Sequence, residues 1–147
     1  MVFVQKKVGE KFMKKKVLYH TIEKKIENKI NDLIDNGYEQ AALGTIDKKS
    51  MPFVSKVVPS VIKNRIYLLL SDLSEHTTNL MENPVGSLYF AAKEQHKTRS
   101  NNARLTLQGT ITKLVLKKST EEFELLIKKH SEIDKGSDMW AYFEDFN

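Results

Sequence analysis

The run LLLSDLSEHTTNLMENP at 68–84 is where this sequence offers chemistry. An apolar strand ends in Ser71, and within a few residues a helix begins that carries Ser74, His76, Thr77 and Thr78. Backbone N–H groups at a helix start lack intrahelical partners, so with hydroxyls and an imidazole beside them they can cradle a phosphate or a carboxylate. The plainer reading is that Ser71 or Ser74 caps the helix and the threonines face water. Other catalytic signatures are absent: there is no glycine-rich phosphate loop, no G-x-S-x-G elbow and no H-E-x-x-H pair. His20, His76, His96 and His130 lack ligand spacing and there is no Cys, so no dedicated metal site is expected.

The elements that must position this run are readable from periodicity. Ile22, Ile26, Ile30, Leu33 and Ile34 form one apolar stripe of an α-helix, and Asn36-Gly37 is its expected stop, glycine taking the left-handed conformation readily. Ala41–Ile46 is a short strand, and Asp47–Ser50 is a hairpin turn. Phe53–Val61 is a Val-rich strand whose Pro59 places it at an edge or a bulge, since proline cannot donate to a ladder. Lys63-Asn64 is a second turn, leading into the strand Arg65–Leu70. These three strands predict an antiparallel meander. A short helix from Ser71 or Ser74 to Glu82 ends at Asn83-Pro84, and Val85–Ala92 returns as a strand. Residues 93–103 read as a loop, and Leu105–Leu116 alternates as a long strand with one buried face. Ser119 or Thr120 starts a last helix with Phe123, Leu126 and Ile127 on its apolar face; Lys128, Lys129 and His130 sit as cations in its last turn. The segment Met139–Phe146 is strongly aromatic, and Trp140, Phe143 and Phe146 need a surface to bury against, which a second subunit supplies.

A length of 147 residues suits one domain. The first 30 residues hold nine Lys and three Glu, a net +6, which leaves the rest of the chain at −1 of the total +5. The basic character thus belongs to a tail and a first helix. That tail has no Arg, and a solvated tail is expected rather than a nucleic-acid site. Apolar runs such as Ile66–Leu70 fall far short of the roughly 18 residues of a membrane span. With no secretory signal and no Cys, a cytoplasmic protein is expected.

The 68–84 run, with ALGTID (42–47) before it and RLTLQGTITKL (104–114) after it, resembles the pyridoxamine-5′-phosphate-oxidase-like FMN-binding split barrels. Within that superfamily it is most similar to the haem-utilisation branch, some of whose members bind and oxidatively degrade haem. Leu43, Thr45 and Asp47 fit the first-strand pattern; Ser71, Leu73, His76, Thr77, Asn79, Leu80, Asn83 and Pro84 fit the middle run. Arg104, Leu105, Thr106, Leu107 and Gly109 fit the later strand, and AYFEDF (141–146) resembles the branch's aromatic-acidic segment near the cofactor.

The resemblance implies an α+β fold, an antiparallel split β-barrel with flanking helices over residues 19–147, preceded by a basic tail over 1–18 and without the C-terminal strands of longer relatives. It implies a homodimer with the cofactor at the subunit interface and a small-molecule substrate. The first reading is an FMN-dependent oxidoreductase; the others are a haem-binding or haem-degrading protein, and a non-catalytic cofactor-binding module. Ser71, His76 and Thr77 are placed at the anionic end of the cofactor, Arg104 beside its ring system, and Thr45 and Ser55 on the other wall. An Arg there can pair with a phosphate or propionate, or stack flat on a macrocycle. Glu75 and Thr78 stand where relatives carry Arg or Lys, which lowers the expected affinity for phosphate. The axial His of the haem branch can come from strands beyond this chain, so none carries over, and His96 in the loop is a substitute candidate.

Overall fold

Alternation along β2 (Tyr38–Ile46) sets the interior: Ala41, Leu43 and Thr45 are buried, while the residues between them are partly exposed. This is the period-2 pattern of a sheet with one face packed. The structure is a computed structural model that describes residues 2–5 and 23–146. Seven strands form one antiparallel sheet, with β1 (Val2–Gln5), β3 (Pro52–Val57), β4 (Pro59–Ile62), β5 (Arg65–Leu68), β6 (Val85–Ala92) and β7 (Arg104–Lys113) joining β2 in the order β3-β2-β6-β7-β1-β5-β4.

The two edge strands, β3 and β4, are consecutive in the chain and separated by Val58 alone. Laid flat, six strand spacings would put the edges roughly 29 Å apart. One intervening residue spans about 7 Å at most, so the sheet has to curl. The expected single strand Phe53–Val61 is thus broken at Val58–Pro59. Proline supplies no N–H there, and its carbonyl instead accepts a 2.6 Å hydrogen bond from the Tyr38 hydroxyl. Burial, with Asp134 adding to it, pushes that phenol's pKa well up. The Tyr38 ring meets Phe90 edge-on at 5.4 Å.

Inside the curl lie Leu43, Leu68, Leu88 and Phe90, each essentially inaccessible. Fully burying such side chains stabilises by about 1.5–3 kcal/mol apiece. A second cluster forms on the outer side of β5, where Tyr67 meets Phe123, Leu126 and Ile127 of α3 (Glu121–Ile133), with Ala141 beyond them. The N-cap of α3 is Thr120, whose hydroxyl accepts from the Phe123 N–H.

Several expectations change. Val2–Gln5, read as the start of a basic tail, is a central strand that pairs antiparallel with both β5 and β7. Val-Phe-Val is a strong β sequence, and the lysines begin only at Lys6. The remainder of the expected tail, 6–18, lies outside the described residues, as does Ile22 of the apolar stripe. In the first helix, α1 (Lys24–Asp32) and a π-turn over Leu33–Gly37, Leu33 is buried but Ile26 is half exposed. Gly37 is required by close approach rather than by a left-handed φ: a Cβ there would sit 2.2 Å from the Asp32 carbonyl oxygen. The turn Lys63-Asn64 has φ of 50° and 62°, the signature of a two-residue type I′ hairpin. Among the described residues, no helix is long and apolar enough to cross a membrane.

Candidate functional site

The turn after β5 is where the expected site residues converge. Ser71 lies just past the strand, Ser74 is the N-cap position, and α2 (Glu75–Glu82) follows. Thr77 turns its hydroxyl back to the Ser71 carbonyl at 2.7 Å, which fixes the turn against the helix. Asn79 donates to the Thr45 hydroxyl at 3.1 Å, so Thr45 is an interior group satisfied by its own chain. Ser55, on β3, stands 2.9 Å from His76 Nδ1. Five of the six expected residues, Thr45, Ser55, Ser71, His76 and Thr77, are thus linked to this one turn and helix.

Arg104 stands apart. It opens β7, exposed, with its guanidinium donating to the Ser100 carbonyl at 2.7 Å. Its strand register aligns it with Ala91 and, one strand further, with Gln40. Thr45 is five residues beyond Gln40 along β2, about 16 Å away at roughly 3.3 Å per residue.

The expected cradle of free N–H groups is a correction. Asp72 N–H donates to the Asp145 carbonyl, Leu73 N–H to the Ser71 hydroxyl, and Ser74 N–H to the Ser71 carbonyl. Thr77 and Thr78 N–H both go to the Ser74 carbonyl. The turn is so tight that its donors are consumed locally. The Ser71 hydroxyl itself donates to the Asp145 carboxylate at 2.7 Å, and Phe146 bridges to Ser71 through the backbone. The aromatic-acidic segment therefore folds back over the turn and presents a carboxylate where an external anion was expected.

Under this segment lies a cavity of about 200 Å³. Ser71, Ser74, His76, His130, Trp140 and Phe146 contribute to its wall, together with Lys56 and Asp134. The Trp140 and Phe146 rings are 6.4 Å apart and tilted by 33°, giving the cavity an aromatic side. Two imidazole nitrogens on its lining residues, His76 Nε2 and His130 Nδ1, are buried without a hydrogen-bond partner. Burial pushes both imidazoles below the ordinary histidine pKa; Asp134 partly opposes this at His130.

His130 was missed as a site residue because Lys128 and Lys129 beside it suggest a run of cations. It is 4% exposed. The signal was its spacing: Phe123, Leu126, Ile127 and His130 continue one helical stripe, i, i+3, i+4, i+7. His96 is exposed, its backbone N–H bound to Asn102 Oδ1, and it contributes nothing to the cavity wall. The aromatic segment buries part of itself without a second subunit: Ala141 is inaccessible, and Tyr142 packs edge-on to Phe123 while donating to Glu124 at 2.9 Å. Trp140, Tyr142 and Phe143 still expose about half their surface.

A hollow of about 510 Å³ lies between the β4–β5 turn and α3, lined by Lys63, Arg65, Glu121 and Glu122. It contains no buried polar atom without a partner. The smaller cavity is therefore the better candidate.

No protein-family model and no curated protein matches the sequence. Solved structures do match the fold. The haem storage protein HutZ of Vibrio cholerae superposes with a TM-score of 0.65 at 23% identity, over 82% of this chain and 84% of HutZ. A haem-binding protein from Mycobacterium smegmatis gives 0.64 at 22% identity, over 78% of this chain and 46% of that one. ChuZ of Campylobacter jejuni gives 0.65 at 19% identity, over 86% of this chain and 52% of its own. The chain thus spans most of HutZ but only about half the length of the other two. Its fold is the one these structures share, in agreement with the resemblance to the haem-utilisation branch of the pyridoxamine-5′-phosphate-oxidase-like superfamily.

Proposed function

We propose that this chain binds haem, working as a homodimer in which the curled sheet forms a split barrel and the cofactor sits where the Ser71–His76 cavity opens toward the partner. The observation that carries the reading is the pair of buried, unpartnered imidazole nitrogens on an aromatic-walled cavity. Such atoms cost roughly 1–3 kcal/mol each when left unsatisfied, and a planar ligand with a metal centre or polar edge answers them. FMN, the first reading of the sequence, fits less well. Its phosphate calls for cations or free N–H groups, while the N–H groups of Asp72, Leu73, Ser74, Thr77 and Thr78 are engaged and Asp145 adds a negative charge beside Ser71.

The homodimer follows from size. A cavity of about 200 Å³ is smaller than the roughly 300–1,000 Å³ of pockets that bury most of a ligand. One chain therefore covers only part of a macrocycle, and a second surface has to cover the rest. Arg104, exposed and far along the sheet from Thr45, is suited to reach a propionate in the partner's site rather than in its own. His76 and His130 would hold the polar contacts of the cavity, Trp140 and Phe146 the flat face. Bound haem supplies its own iron chemistry; the residues here bind it, orient it and keep water from one side.

Titration of the purified protein with haemin and with FMN, followed by absorbance, tests the reading. A saturating Soret band with haemin, no flavin uptake, and a dimer by sedimentation are expected. Uptake of FMN with none of haemin returns the protein to the flavin reading, and uptake of neither leaves a module without this cofactor chemistry.

A further inference from the structure

His76 is held in an unusual way for a solvent-side helix residue. It is the second residue of α2, its Nδ1 lies 2.9 Å from the Ser55 hydroxyl on β3, and its Nε2 is buried with no partner. Rotating the ring to exchange the two nitrogens changes nothing: one nitrogen would face Ser55 and the other would still be buried without a partner. The strand-to-helix contact thus fixes the imidazole plane and leaves one nitrogen unanswered at the cavity wall.

The chemistry of the surroundings narrows what can answer it. Among the described residues, no group of three His, Asp or Glu lies close enough together to hold a bare metal ion. A porphyrin differs in bringing four nitrogens of its own, so its iron needs from the protein only one or two axial donors. An imidazole that ligates a metal almost always directs its other ring nitrogen to an oxygen partner, which sets the tautomer and the ring orientation. Ser55 Oγ is such a partner. With Nδ1–H donating to it, Nε2 carries the lone pair. Burial keeps the ring neutral, as a ligand must be. Trp140 and Phe146 line the same cavity and offer the apolar contact a macrocycle face requires.

We propose that His76 Nε2 is the axial ligand to a haem iron in this cavity, with Ser55 as the residue that orients it. The inference rests on the haem reading above and adds the bond that holds the iron. It departs from the expectation that His76 meets the anionic end of the cofactor. In that alternative the other tautomer is present, Nε2–H donates to a carboxylate, and no iron–nitrogen bond forms.

The test uses the full chain and haemin, with the iron–histidine stretch of the reduced complex read by resonance Raman. The wild type is expected to show that stretch. His76→Ala is expected to lose it, to bind haemin at least about tenfold more weakly, and to regain a nitrogen-ligated spectrum when free imidazole is added. Ser55→Ala should keep the ligand but shift the stretch and weaken binding by about tenfold. His130→Ala, on the same cavity, should leave the stretch in place. Circular dichroism of each apoprotein checks folding; if His76→Ala does not fold, the Ser55→Ala shift decides. A stretch unchanged in both His76→Ala and Ser55→Ala overturns the ligand assignment while leaving haem binding intact. A wild-type protein that takes up no haemin overturns the haem reading itself.

Discussion

Asp145 occupies the hydroxyl that an anionic ligand at Ser71 would need. Its carboxylate accepts from Ser71 Oγ at 2.7 Å, a short distance typical of a charge-assisted bond. Such bonds contribute about 1.5–3 kcal/mol to a structure. Both residues are only half-buried, so the lower end applies. Asp145→Ala removes the competing acceptor while the Asp72 N–H bond to the residue-145 carbonyl and the backbone bridge between Ser71 and Phe146 remain available. A propionate reaching Ser71 then no longer displaces a carboxylate, and about 1.4 kcal/mol corresponds to tenfold in affinity. Haemin affinity is therefore expected to rise about tenfold in Asp145→Ala. Asp145→Asn keeps an acceptor without the charge and should fall between the two. Glu144→Ala, one residue away and exposed, serves as the control and should change little. The assay is equilibrium titration by absorbance, at low and moderate salt, on proteins matched by circular dichroism. Unchanged or weakened binding in Asp145→Ala would mean that Ser71 does not meet the ligand's anionic edge.

Two further predictions concern stability. His130 is buried neutral, with its pKa depressed below 6.5, so between that depressed value and 6.5 the unfolded chain binds more protons than the folded one. Stability is full above about pH 6.5 and declines as the pH falls through this window. His130→Gln should flatten that acid limb in urea melts of the apoprotein, and an unaltered slope would show that His130 is solvated in solution. Asn64 holds φ of 62° in the type I′ turn, a position glycine occupies without steric cost. Asn64→Gly should change stability by no more than about 1 kcal/mol in either direction, whereas Asn64→Val should lower the melting temperature clearly. Equal melting for Asn64→Val and the wild type would place that turn in another conformation.

How far the sequence carried depended on the range of the signal. Strands β2, β5, β6 and β7 were legible because their alternation or apolar run, and the turns between them, are local properties. Thr120 as a cap was legible for the same reason. The curl of the sheet was half legible: Pro59 announced an interrupted strand, but only the pairing order shows that its two halves end up on opposite edges. The strand at Val2–Gln5 was obscured by the lysines that follow it. The relation of Asp145 to Ser71 spans 74 residues, and no spacing rule connects them. The resemblance gathered the right residues around the turn, yet its implied cradle failed on hydrogen-bond accounting, which needs coordinates.

Ser71 and His76, five residues apart, differ in what the fold leaves them to do. Ser71 is saturated: its hydroxyl donates to Asp145 and accepts from Leu73 N–H, and its carbonyl takes Thr77 Oγ1 and Ser74 N–H. A ligand can use it only by breaking something. His76 is half satisfied, anchored by Ser55 on one side and empty on the other. A ligand that bonds Nε2 breaks nothing and removes a desolvation cost of about 1–3 kcal/mol already present in the apoprotein. Affinity at this site should thus be dominated by the imidazole and modulated by the hydroxyl. That ordering agrees better with a metal-centred planar ligand than with one held chiefly by its phosphate.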